Sequence, residues 1–272
     1  MRREDIDALL STMQALSAEA QEIIAAALAT ATETADPAQI RDELITIMQA
    51  VVERYAAAAA VSAADWYEVL RALEANLPEY RVQLAPAISP AAVEAKVRAV
   101  AGPLWVEDGA DQVSAALTGM VDRIVKAAGR DTITLAAEND PARPRFARIP
   151  SGTETCAFCR MLASRGFDYS SLKAAGADRK FHAHCDCMIV PSWSAKTPRI
   201  DGYDPSADYR RLQAARKAAA KAAGTLTLSD WDIVSQMEKL FPEIYPPHGN
   251  RDAQQDAEQS LKVSPTGGVQ PG

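Results

Sequence analysis

Aromatic residues are scarce in this 272-residue chain, at 6%, and there are only three histidines and four cysteines. A chain poor in aromatics and rich in alanine disfavours a sheet-dominated fold and favours helices. No uninterrupted apolar run approaches the roughly eighteen residues of a membrane helix. The longest, residues 55–64, is mostly alanine and is broken by Ser62, so no membrane is expected among its partners. The opening Met1-Arg2-Arg3-Glu4-Asp5 lacks an apolar signal core and a small-residue cleavage site, and no export signal is expected. Positive charge is also in deficit: the net charge is -7 and the pI about 5.1, which argues against a whole-surface nucleic-acid binder. Without an export signal the cysteines are expected to be reduced, and their clustering points to metal before disulfide.

What the chain does contain is helical periodicity. Leu9, Leu10, Met13, Leu16, Ile23, Ile24 and Leu28 recur at steps of three and four, which places them on one helix face. Asp36-Pro37 reads as an N-cap followed by proline at the first helical position. The stripe Ile40, Leu44, Ile47, Met48, Val51, Val52, Tyr55 follows, and a third helical segment surrounds Trp66-Tyr67. Residues 77–89 form a break with two prolines, and Ser89-Pro90 repeats the cap-and-proline signal. A further helix is expected over residues 110–128, with Val113, Leu117, Val121, Ile124 and Val125 on one side. Such stripes describe a helical bundle core; the other reading is a long N-terminal helix that docks on a partner's helices.

The texture changes at Glu138-Asn139-Asp140-Pro141. All four cysteines lie in residues 145–193, with two of the three histidines and Phe146, Phe158, Phe167, Tyr169, Phe181 and Trp193. A basic, alanine-rich helix follows over 209–223, closed by Gly224, and Ser229 caps a last helix. The expected organisation is mainly α: a helical bundle domain (1–137), a small α+β Cys/His module (138–200), a helical C-terminal extension (201–245) and a disordered tail (246–272).

The pair Cys156-Ala157-Phe158-Cys159 is followed, 22 residues later, by His182-Ala183-His184-Cys185-Asp186-Cys187. Zinc takes four thiolate or imidazole ligands in a tetrahedron, and a C-x2-C turn can aim two thiolates at one ion. Cys156 and Cys159 are the first candidates; His182 and Cys185 have an offset that lets both reach one ion from a turn. Cys187 competes with Cys185, and on an extended strand the two point the same way. The expected cofactor is a structural zinc held from among Cys156, Cys159, His182, Cys185 and Cys187. Packed free thiols and a disulfide pair are the alternatives. His184 reads as a neighbour of the site and His248 as solvated. On the basic helix, Arg210, Arg211, Arg216, Lys217 and Lys221 are either a solvated face or a contact for packaged DNA or an acidic partner.

Several separated stretches resemble the MuF-like minor head proteins of tailed bacteriophages, most of all the branch in phages of actinobacteria. They are residues 63–71 with Trp66, Tyr67 and Arg71; Arg148-Ile149-Pro150 leading into Cys156 and Cys159; His182, Cys185 and Cys187; and Val190-Pro191-Ser192-Trp193. The family run is histidine, two residues, cysteine, one residue, cysteine, which His182, Cys185 and Cys187 match. His184 stands where the family often has asparagine, and Asp186 where arginine is common, which reverses a local charge. The resemblance implies a protein inside the phage head near the portal, in few copies, acting in head assembly or DNA packaging and delivery. Its partners would be the portal protein and inner capsid or scaffold proteins, and it would occupy the host cytoplasm before assembly. Many members of the actinobacteriophage branch are called capsid maturation proteases.

Proteolysis needs an activated nucleophile, a base and an oxyanion hole. The serines near the cluster (Ser151, Ser164, Ser170, Ser171) lie in no nucleophile-elbow motif. There is no H-E-x-x-H helix for a zinc protease, and no histidine pair placed for an HNH-type nuclease. The residues therefore favour a binding protein without chemistry of its own, with capsid maturation protease as the alternative.

Overall fold

The structure is a computed structural model that describes residues 3–34, 36–75, 77–150, 155–168, 187–193, 200 and 204–245. It is mainly helical. Three long helices, α1 (Arg3–Thr34), α2 (Pro37–Ala75) and α4 (Ala110–Asn139), pack against one another, and the shorter α3 (Pro90–Val100) lies on α2. Both expected caps form. The Asp36 carboxylate accepts from the amides of Ala38 (2.9 Å) and Gln39 (3.1 Å), and the Ser89 hydroxyl accepts from the Ala92 amide at 3.2 Å. Each satisfies N–H groups that a helix start leaves without partners.

Two helices run further than the local signals suggest. The segment around Trp66 is the last part of α2, because the alanine run 56–60 continues the helix without a break. α4 passes residue 128 and continues through Gly129, Thr132, Ile133 and Thr134 to Asn139. Gly129 and the β-branched residues are poor helix formers, but this stretch packs between α1 and α2, and tertiary contact overrides propensity. A Cβ built on Gly129 would lie 2.0 Å from Met13 Cε and 3.3 Å from the Ala59 carbonyl oxygen, so glycine is what lets the three helices approach here. Over Pro37–Leu73, α2 is long and apolar enough, by length and composition, to cross a membrane; half of its most apolar window is buried in the fold. Counting uninterrupted runs overlooks this segment, since alanine keeps its average apolar across isolated polar residues.

After α4 come strand β1 (Arg145–Ile149), helix α5 (Ala157–Ala163), strand β2 (Met188–Ser192), α6 (Ser206–Ala223) and α7 (Asp230–Leu240). β1 and β2 pair antiparallel, with Ala147 opposite Val190 and Ile149 opposite Met188. Three cores result. One end of the bundle is filled by Leu28, Leu44, Met48, Val93, Val97, Val113 and Leu117. At the other end Ile6, Met13, Tyr67 and Ile133 meet Phe146, Ile149, Ile189 and Val190 of the sheet. The third core joins α5 to α6 and α7 through Phe158, Met161, Leu212, Ile233, Met237 and Tyr245, together with Cys156, Cys159 and Cys187. Phe158 stacks on Trp231 at 5.3 Å between ring centroids. α6 ends at Gly224 in the left-handed conformation (φ 65°), which glycine adopts without Cβ strain.

Candidate functional site

The C-x2-C pair sits at the start of α5. Cys156 is the N-cap, and its sulfur accepts a hydrogen bond from the Cys159 amide at 3.3 Å. Cys159 therefore falls on the first turn, and its side chain enters the core. Cys187 stands one residue before β2, and its sulfur lies 3.4 Å from that of Cys159. Arg148, on β1, is fully buried, and its Nη2 donates to Cys187 Sγ at 2.7 Å.

Two thiolates on one tetrahedral zinc, each with a bond of about 2.3 Å, are about 3.8 Å apart. The Cys159–Cys187 separation is within a few tenths of an ångström of that value, so the pair fits two positions of such a site. Among the described residues no three cysteine, histidine or carboxylate side chains are grouped to hold a metal ion. Two expected ligands, His182 and Cys185, lie outside the described residues, as do His184 and His248.

A second cluster is formed by residues that the motifs contain but that ligand spacing does not single out. Asp140, just beyond the end of α4, is buried and accepts four groups of hydrogen bonds. Arg71 reaches it with Nε at 2.8 Å and Nη2 at 3.2 Å, Tyr67 with its hydroxyl at 3.1 Å, Trp193 with Nε1 at 2.9 Å and Ala142 with its amide at 2.8 Å. Arg71 also donates to the Pro78 carbonyl and stacks over the Tyr80 ring at 5.0 Å. Trp193 meets Tyr67 edge-on at 5.3 Å, and the Tyr80 hydroxyl donates to the Ala136 carbonyl at 2.8 Å. Burial alone would raise the Asp140 carboxyl, but the hydrogen bonds from Arg71, Ala142, Trp193 and Tyr67 outweigh it and hold it below the ordinary carboxylate range. Burial first, and then the Asp140 charge, push the Tyr67 phenol far above its usual value.

This cluster unites the stretch around Trp66 and Tyr67 with Trp193, which is 126 residues beyond Tyr67, through one carboxylate. Nearby, the Trp66 indole donates to the Asp5 carbonyl at 2.9 Å, and Arg3 Nη2 donates to the Pro150 carbonyl at 2.6 Å. The start of α1 is thereby tied to the approach to Cys156. The signal available in sequence was an Asp-Pro turn directly after a helix, with arginine and tyrosine four residues apart on another.

The basic residues of α6 divide. Arg211 pairs with buried Asp208 at 2.9 Å, and Asp208 also accepts from Tyr245 (2.9 Å) and Arg160 (3.3 Å). Arg210, Arg216, Lys217 and Lys221 are exposed.

The VG15 protein family model matches residues 1–215. The chain is 31% identical to the Gene 15 protein of Mycobacterium phage L5, over a region covering 39% of this chain and 53% of that protein. It is also 31% identical to the Gene 15 protein of Mycobacterium phage D29, covering 44% of this chain and 59% of the relative. The chain thus spans little more than half the length of these curated relatives. No solved structure matches it.

Proposed function

Since the chain belongs to the VG15 protein family and is phage-encoded, we propose that it is a MuF-like minor head protein. It works by binding the portal protein and inner capsid or scaffold proteins during head assembly and DNA packaging or delivery. It resides in the host cytoplasm before assembly and in the head interior afterwards. The observation that carries this reading is the buried joint at Asp140. The stretches that resemble MuF-like proteins contribute Tyr67, Arg71 and Trp193 to it. Such a joint suits an adaptor that must hold a helical body and a compact Cys/His module in one orientation.

A structural zinc belongs to the same reading, held by Cys156, Cys159 and Cys187 with His182 or Cys185 completing the set. Zinc would supply cross-linking of α5 to the start of β2, and Arg148 would steady the Cys187 thiolate. The described cysteines are at most 5% exposed, which suits ligation better than attack on a protein substrate, so the capsid maturation protease remains the lesser reading.

The test is co-expression of the tagged full chain with the portal protein of the same phage, alongside protein mass spectrometry of gradient-purified heads. Co-purification with the portal and a low, fixed copy number in heads are expected. Absence from heads, or cleavage of the major head protein by the purified chain, would overturn the reading.

A further inference from the structure

The exposed side of α6 concentrates positive charge in Arg210, Arg216, Lys217 and Lys221. Helical geometry places residues 210, 217 and 221 within an arc of about 40°, over about 16 Å of axis. Arg216 points about 100° further round the helix from Lys217, and the residues that flank the line are Ala214, Ala218 and Ala220, with Gln213. α6 has a single carboxylate, Asp208, and it is turned into the core, where Arg160, Arg211 and Tyr245 hold it. It cannot neutralise the outer face. Arg216, Lys217 and Lys221 make no ion pair among the described residues, and Arg210 reaches only the Ser206 hydroxyl, at 3.5 Å. At the N-terminal end of this face a recess of about 230 Å³ is lined by Ala207, Arg210, Arg211 and Phe241. All this occurs on a chain whose net charge is -7.

We propose that the outer face of α6 is a sequence-independent docking strip for the phosphate backbone of duplex DNA. A line of exposed cations flanked by small side chains can follow the phosphates of a duplex, whose charge dominates sequence-independent binding. A protein partner would call for a central apolar or aromatic anchor, and single-stranded nucleic acid for a series of stacking rings. The face offers only Tyr209 and the half-buried Phe241, both at one end. The strip is independent of the proposed portal contact, so either can fail without the other.

The experiment is fluorescence anisotropy of the full chain with labelled duplexes of about 30 base pairs, two unrelated sequences, between roughly 50 and 200 mM salt. Equal affinity for both sequences is expected, with a log–log salt slope of about -2.7 to -3.6, as for three or four neutralised phosphates. The variant R210Q/R216Q/K217Q/K221Q should lose about tenfold or more in affinity at the lower salt and most of the slope. Its thermal unfolding, followed by circular dichroism, should match the unmodified chain, because these side chains face solvent. A control variant, R81Q/R98Q, changes exposed arginines on the connection after α2 and on α3 and should bind as the parent does. No binding by the parent chain, or undiminished binding by the quadruple variant, overturns the proposal. Salt-sensitive binding to polyglutamate without binding to DNA also overturns it and assigns the face to an acidic protein.

Discussion

Around Leu28, Leu44, Val93 and Leu117 the bundle core is almost entirely aliphatic, whereas the core around α5 combines sulfur, aromatic rings and an ion-paired carboxylate. The first is held by area removed from water and tolerates imprecision, since any apolar side chain of suitable size contributes. The second depends on particular atoms: the Cys159–Cys187 contact, the Arg148 donor and the Asp208 carboxylate each lose their value if one partner is replaced. A third region, at Asp140, joins α2 and the end of α4 to the segment after β2 through a buried polar network, which specifies one geometry but is costly when incomplete.

Metal removal should separate the two regions most sharply. With a structural zinc in place, chelation is expected to cost on the order of 10 kcal/mol of apparent binding free energy. It should melt the core around α5 and leave the aliphatic end of the bundle helical; thermal unfolding by circular dichroism checks this. Cys159→Ser and Cys187→Ser should act in the same direction.

Next in size is Asp140→Ala. It leaves the Arg71 guanidinium buried without its counter-charge, and breaking such a pair costs about 3–5 kcal/mol. Denaturant unfolding measures it. The same carboxylate sets an acid limit. Its folded pKa lies below the unfolded value of about 3.9, so its contribution is intact above that pH and is lost as pH falls through the folded value. Asp140→Asn should flatten the stability profile below about pH 4. Tyr67, with a raised pKa, adds the mirror case: its contribution is present below about pH 10 and declines as pH rises further.

Within the aliphatic core, Leu117→Ala should cost about 2–5 kcal/mol through the cavity it leaves. Gly129→Val should cost about 1–3 kcal/mol by forcing Met13 and the α2 backbone away. The smallest effect is Ser89→Ala, at about 1 kcal/mol, from the lost cap of α3. Equal losses from Leu117→Ala and Asp140→Ala across all pH values would erase the contrast between the regions.

How much was legible in the sequence follows the same division. Helical stripes and caps depend on neighbours in the chain, so Asp36, Ser89 and Ser229 are readable as helix starts, and the aliphatic faces of α1, α2 and α4 as core. The extension of α4 through Thr132 and Ile133 was not readable, because contacts with α1 and α2 decide it. The cysteine pair announced itself by spacing; that Cys187 lies against Cys159 depends on the packing of β2 beside α5. Arg148 and Asp140 did not stand out, since their partners lie 39 and 69 residues away. The turning of Asp208 into the core, which leaves α6 purely cationic outside, also depends on tertiary contact with Tyr245 and Arg160.

The most direct measurement is hydrogen exchange by mass spectrometry on the full chain, with and without a zinc chelator. Peptides from α5 and β2 should lose protection on chelation, while those covering Leu44, Val97 and Leu117 should keep it. Unchanged protection in α5 and β2, or uniform loss along the chain, would contradict a thiol-held module built onto an independently stable helical bundle.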